Sequence, residues 1–156
     1  MSQTNELEIM ERIALDLEGV EESLASSFNT GAEDFNALIR PLSAAGGKRL
    51  RAQLCLLIAN AGTSVERQRI RIAEAVEMLH LATLIHDDVL DQAEIRRGEE
   101  TIHMHKGNKV AILSGDYLFA KAFQIVSEMP NMKYLQIFSH IITCLVEGEF
   151  MQMEDV

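Results

Sequence analysis

Three carboxylates within five residues, Asp87, Asp88 and Asp91, stand in the otherwise apolar run Leu79-His80-Leu81-Ala82-Thr83-Leu84-Ile85-His86-Asp87-Asp88-Val89-Leu90-Asp91. On a helix, positions 80, 84, 87, 88 and 91 share one face. Asp87 and Asp91 are then one turn apart, with Asp88 about 100° round from Asp87. Like charges at that spacing repel, and burying them unpaired is costly. A divalent cation removes the conflict. Hard oxygen ligands suit Mg2+, which keeps waters and recruits substrate phosphates rather than a full protein cage. The trio therefore reads as half of a metal site that a diphosphate would complete. The plainer alternative is a solvated acidic helix end.

Cations flank the acids on both sides. Arg96-Arg97-Gly98 begins five residues after Asp91, and Gly46-Gly47-Lys48-Arg49-Leu50-Arg51 lies upstream. Arginine grips phosphate bidentately, lysine is a compact charge, and glycine lets backbone approach an anion closely. A glycine pair before a helix start also offers N–H groups at the favourable end of the helix dipole. Either cluster alone is ordinary surface charge. Together with the acids they suggest two diphosphates, one metal-bound and one not.

These residues need helices to hold them. Apolar residues at 9, 10, 13, 14, 17, 20 and 24 predict a helix over 7–28. A short helix is expected up to Arg40-Pro41, then an apolar one over 49–61 closed by Gly62. Ser64 is a candidate cap for a long helix over 65–93. Residues 95–107 read as irregular. Asn108 can cap a helix through 126, and another is expected from 131 onward. No segment alternates with period two, and there is no internal repeat. The fold class is all-α, a helical bundle in a single domain over 1–156.

The combination Gly46-Gly47-Lys48-Arg49-Leu50-Arg51, His80, Asp87-Asp88-Val89-Leu90-Asp91 and Arg96-Arg97-Gly98 resembles the trans-isoprenyl diphosphate synthases, the polyprenyl synthetase family. The resemblance runs from about residue 40 to the end and includes Gly115-Asp116-Tyr117-Leu118 and Glu147-Gly148-Glu149-Phe150. A lone Asp-Asp-x-x-Asp would also fit class I terpene cyclases. The resemblance implies that Asp87, Asp88 and Asp91 bind an allylic diphosphate, such as farnesyl diphosphate, through Mg2+, and that Arg96 contacts the same group. It assigns Gly47, Lys48, Arg51, His80 and Arg97 to isopentenyl diphosphate. Ionisation of the allylic C–O bond, attack by the isopentenyl double bond and loss of a proton then lengthen the chain by one C5 unit. Ala82 and Thr83 fall where the family sets product length, and neither is aromatic. A medium- or long-chain product, longer than farnesyl, is expected.

Two departures stand out. Ala52 occupies a position where the family often has proline. The family's second aspartate-rich motif and its Lys-Thr element, found well downstream in longer chains, are not in this sequence. The resemblance thus implies the N-terminal half of an isoprenoid synthase bundle, with binding residues present and turnover expected to need the rest. A homo- or heterodimer and peripheral membrane contact for product release are further implications.

The composition fits a folded domain, with 47% hydrophobic and 24% charged residues. A net charge of -10 argues against nucleic acid as a partner. The acids before Arg40 are expected to be a solvated face. The polar, acidic residues 1–11 do not read as a secretory signal, so a cytoplasmic location is expected. The apolar run Ile141-Ile142-Thr143-Cys144-Leu145-Val146 is far short of the roughly 20 residues of a membrane span. Cys55 and Cys144 are expected to be buried, reduced thiols. His86 points off the ligand face and reads as structural, and the methionines read as packing. A metal phosphohydrolase using His80 and His86-Asp87 would need an earlier histidine, and none precedes His80. The non-enzyme rival is a helical regulatory subunit, or a fragment of a heteromeric prenyl synthase.

Overall fold

The computed structural model describes residues 3–28, 33–44, 48–62 and 65–154. Seven helices lie among them: α1 Gln3–Ser27, α2 Glu33–Ala44, α3 Leu50–Asn60, α4 Glu66–Leu90, α5 Ile102–Lys106, α6 Asn108–Ser127 and α7 Met132–Glu154. The expected all-α bundle forms, with α4 at its centre. This helix packs against α6 on one side and against α3 and α1 on the other. Its Ala73, Ala75, Met78, Leu81, Ala82 and Ile85 are buried in the core.

The periodic stripe of α1 buries Ile13, Val20 and Leu24, with Phe28 just beyond the helix. Met10 and Ala14, expected on that face, are exposed. Asp16 takes the place in the stripe, only 3% exposed. Its carboxylate accepts Arg69 Nε at 2.9 Å and Asn60 Nδ2 at 3.0 Å, tying α1 to α4 and α3. Glu74 is buried completely and accepts Ser23 Oγ and Ser27 Oγ, each at 2.7 Å, and Arg71 Nη1 at 2.6 Å. The acidic start is therefore not wholly a solvated face. Part of it balances cations carried into the core by α4, because a charge is buried only when paired.

Other boundaries move for local reasons. Pro41 lies inside α2 rather than ending it. The bond it forgoes is to the carbonyl of Ala37, an exposed residue that water can reach. The long helix stops at Leu90, and Gln92 turns left-handed at φ +51°. Ser64 lies outside the described residues, and extended Val65 precedes the first turn. Residues 95–100, expected to be irregular, form a small antiparallel hairpin in which β1 (Ile95–Arg96) pairs with β2 (Glu99–Glu100). Arg97 and Gly98 make its two-residue turn, both with positive φ (+53° and +86°). Strands of two residues are too short to show alternation.

The apolar α6 is long enough to cross a membrane, yet Leu118, Ala122, Ile125 and Val126 are buried as in a core helix. On α7 the buried residue is Phe138, while Ile141, Leu145 and Phe150 are exposed. Cys144 is exposed with them, contrary to expectation, and Cys55 is half-buried, its thiol pKa raised by burial.

Candidate functional site

His80 lies two turns before Asp87 on α4, and the two residues sit in opposite fields. Arg51, on the first turn of α3, donates from Nη1 to His80 Nε2 at 3.1 Å. Arginine has no acceptor, so the imidazole accepts here and carries its proton on Nδ1. Burial lowers the His80 pKa, Arg51, Arg97 and Arg96 push it further down, and Glu77 acts the other way. That pattern marks a pocket of convergent positive charge. Arg51 is exposed, as is Lys48 just before α3, and Arg97 is carried at the hairpin tip. Gly47 lies outside the described residues.

Asp87 has the reverse environment. Burial raises its pKa, and Glu149 on α7, Asp91 and Asp88 raise it further, while Arg96 opposes them. Asp88 is buried, and its Oδ1 accepts Arg96 Nε at 2.6 Å. Asp91 ends α4 as its exposed C-terminal cap. Among the described residues no three carboxylate, imidazole or thiol groups are gathered closely enough to hold a cation by themselves. The donor set still fits Mg2+ of the kind that shares its shell with water and phosphate. Asp87 and Asp91 supply hard oxygens one turn apart, in a field whose negative charges repel one another. Asp88 is instead engaged by Arg96, so the three aspartates are not equivalent.

Arg96 joins the two fields. Its side chain is one-third exposed (33%) while bonded to Asp88, and it also acts on His80. A cavity of about 980 Å3 opens beside it. Its charged lining is mixed, Asp88, Glu99 and Glu100 against Arg96, Arg97 and Lys106, and Leu81, Leu84 and Ile85 form an apolar wall. Charge beside an apolar wall suits an amphiphile with a charged head. Thr83, one turn before Asp87, is half-buried and donates Oγ1 to the carbonyl of His80 at 2.8 Å. Ala82 is fully buried in the core.

Several contributors were not singled out from sequence. Glu149 reaches the site from α7, which a sequence distance of 62 residues conceals. Arg49 is buried at 8% with φ +46°. Its Nε and Nη2 donate to the two oxygens of Glu21, the latter at 3.1 Å, and Nη1 to Glu77 Oε2 at 3.5 Å. Burial opposes its charge, but Glu21 and Glu77 outweigh burial and raise its pKa. His86, expected to be structural, does pack onto α6, with Nε2 3.1 Å from the Ile112 carbonyl and 3.5 Å from Asp116. A Cβ on Gly115 would lie 2.2 Å from that ring nitrogen, so glycine there makes room for His86.

The family described as polyprenyl synthetase matches residues 32–156 of the chain. Octaprenyl diphosphate synthase of Escherichia coli (strain K12) is 33% identical over 148 residues, which cover 95% of this chain and 46% of that protein. The structure of a decaprenyl diphosphate synthase from Rhodobacter capsulatus aligns with TM-score 0.86 at 32% identity, over 94% of this chain and 46% of that one. A polyprenyl synthase from Caulobacter crescentus CB15, complexed with calcium and isoprenyl diphosphate, aligns with TM-score 0.86 at 36% identity. That alignment covers 92% of this chain and 45% of the other. The chain thus spans about half the length of the relatives it matches.

Proposed function

This chain belongs to the polyprenyl synthetase family, and from that premise we propose that it carries the diphosphate sites of a medium- or long-chain polyprenyl diphosphate synthase. The observation that carries the reading is the pair of opposed fields two turns apart on α4. Arg51 Nη1 lies 3.1 Å from His80 Nε2, with Arg97 and Arg96 adding positive charge there, whereas Glu149, Asp91 and Asp88 add negative charge at Asp87 against the single cation Arg96. A cationic pocket beside an acidic one suits two diphosphates, one held directly and one through a divalent ion.

Isopentenyl diphosphate is assigned to Gly47, Lys48, Arg51, His80 and Arg97. An allylic diphosphate such as farnesyl diphosphate is assigned to Arg96 and the acidic end. Asp87 and Asp91, with Asp88 beside them, would hold Mg2+, which supplies charge neutralisation to the departing diphosphate. Arg96 orients the leaving group from its bond to Asp88 and stabilises the charge that develops on it. The allylic C–O bond breaks with its electron pair on the diphosphate. The isopentenyl double bond then forms the new C–C bond, and a proton is lost to restore an alkene. The cationic pocket holds the second substrate so that its double bond faces the cation.

A long product is supported by the names of the octaprenyl and decaprenyl relatives and by the small Thr83 one turn from Asp87. Membrane contact on product release, a dimer and a cytoplasmic setting belong to the same proposal. A second reading, a helical subunit of a heteromeric synthase, is favoured by the exposed Ile141, Leu145 and Phe150 of α7. One assay separates them. Mg2+, farnesyl diphosphate and labelled isopentenyl diphosphate are given to this chain and to any longer version of its reading frame. The synthase reading expects extended product from the longer form and diphosphate binding by this one. Product and binding absent from both would overturn it.

A further inference from the structure

Of the three cations in Lys48-Arg49-Leu50-Arg51, only Arg49 is buried; Lys48 and Arg51 are exposed on either side of it. It caps α3 in a left-handed conformation that a residue with a Cβ adopts at a cost. What over-determines that conformation is a three-helix ion network. Glu21 on α1 takes Arg49 through both oxygens, and Glu77 on α4 takes it through Oε2. The other oxygen of Glu77, Oε1, accepts the backbone N–H of Ala52 at 3.0 Å, a first-turn donor of α3 that has no partner within its own helix. Glu77 therefore holds the chain on both sides of Arg51, at residues 49 and 52. It also stands one turn before His80, the residue Arg51 meets at 3.1 Å.

We propose that Arg49 is a positioning residue of the diphosphate pocket: with Glu21 and Glu77 it fixes the start of α3 on α4 so that Arg51 is presented beside His80. The inference rests on the diphosphate reading of that pocket. Arg49 itself points into the ion network and acts on the ligand through its neighbours.

The test is calorimetric titration of the full chain with inorganic diphosphate, without Mg2+, below each variant's unfolding transition. Arg49→Met is expected to weaken binding about tenfold and Arg49→Lys by less, the scale of a small misplacement of binding groups. In an Arg51→Ala background, Arg49→Met is expected to cost little more, because its effect passes through Arg51. A purely structural tie would lower the melting temperature but leave the affinity of the folded variant intact, or give losses that add in the double variant. Either result overturns the proposal. If Arg49→Met does not fold, Glu21→Gln serves, since Glu21 is half-exposed at 47%; unchanged affinity there overturns it equally. Wild-type chain that fails to bind diphosphate would sink the reading of the pocket itself. Binding that Arg51→Ala abolishes and Arg49→Met preserves would sink positioning alone.

Discussion

At His80 the site is already closed by its own side chains, with Arg51 bonded to the imidazole and Glu77 fixing the turn that carries Arg51. Two turns later the opposite holds. Asp87 faces Glu149 and Asp91, and Asp88 satisfies itself on Arg96. The cationic end is preorganised by buried ion pairs, whereas the acidic end keeps a like-charge conflict within the fold. Preorganised donors suit a ligand bound directly, and a standing repulsion suits one that brings a cation with it. The contrast also says where stability resides: neutralising a charge should hurt the first region and help the second.

The largest effect is expected at Glu77. Glu77→Ala strips Arg49 of one buried partner and the Ala52 N–H of its acceptor, and should cost about 3 kcal/mol in urea unfolding. A loss near zero would mean the cationic end is not held by its ion network. Next comes Arg51→Ala, which should weaken metal-free diphosphate binding about tenfold, or about 1.4 kcal/mol, with little change in melting temperature. Unaltered affinity would remove Arg51 from the pocket.

Asp87→Asn should move stability the other way. Relieving repulsion from Asp91 and Glu149 is expected to raise it by about 0.2–0.5 kcal/mol while Mg2+-dependent binding is lost. A destabilised variant would show that the acidic end is not in conflict. The smallest effect is the pH dependence at His80. Its pKa is lowered in the fold, so the folded state binds fewer protons than the unfolded chain. Its contribution is therefore complete above the unfolded value of about 6.5 and is lost as pH falls. The melting temperature of His80→Asn should consequently fall less than that of wild type between neutral and mildly acidic buffer. Equal falls would contradict the lowering of its pKa by burial and by Arg51, Arg97 and Arg96.

The helices were readable because apolar spacing reports burial directly: Ile13, Val20 and Leu24 recur on α1, and Leu81 and Ile85 on α4. The acids and cations were readable as candidates because their types restrict the chemistry open to them. Their pairings were not. Arg49 looks like the middle of a solvated basic run, and only the arrival of Glu21 and Glu77 from two other helices makes it internal. Asp16 and Arg69 are 53 residues apart and each reads as surface until they meet. The hairpin escaped because its strands are two residues long, although Arg97-Gly98 was in view as a basic motif. Glu149 showed only as part of a motif, with nothing local to tie it to Asp87.

On the proposed function, α4 presents two diphosphate sites that differ in their need for metal. The most direct test titrates the chain with isopentenyl diphosphate, and separately with a non-ionising thio-analogue of farnesyl diphosphate, each in chelator and again in Mg2+. Isopentenyl diphosphate binding is expected to survive the chelator, and analogue binding to appear only with Mg2+ and to vanish in Asp87→Asn. Equal dependence of both ligands on the metal, or analogue binding undiminished in chelator, would contradict that reading.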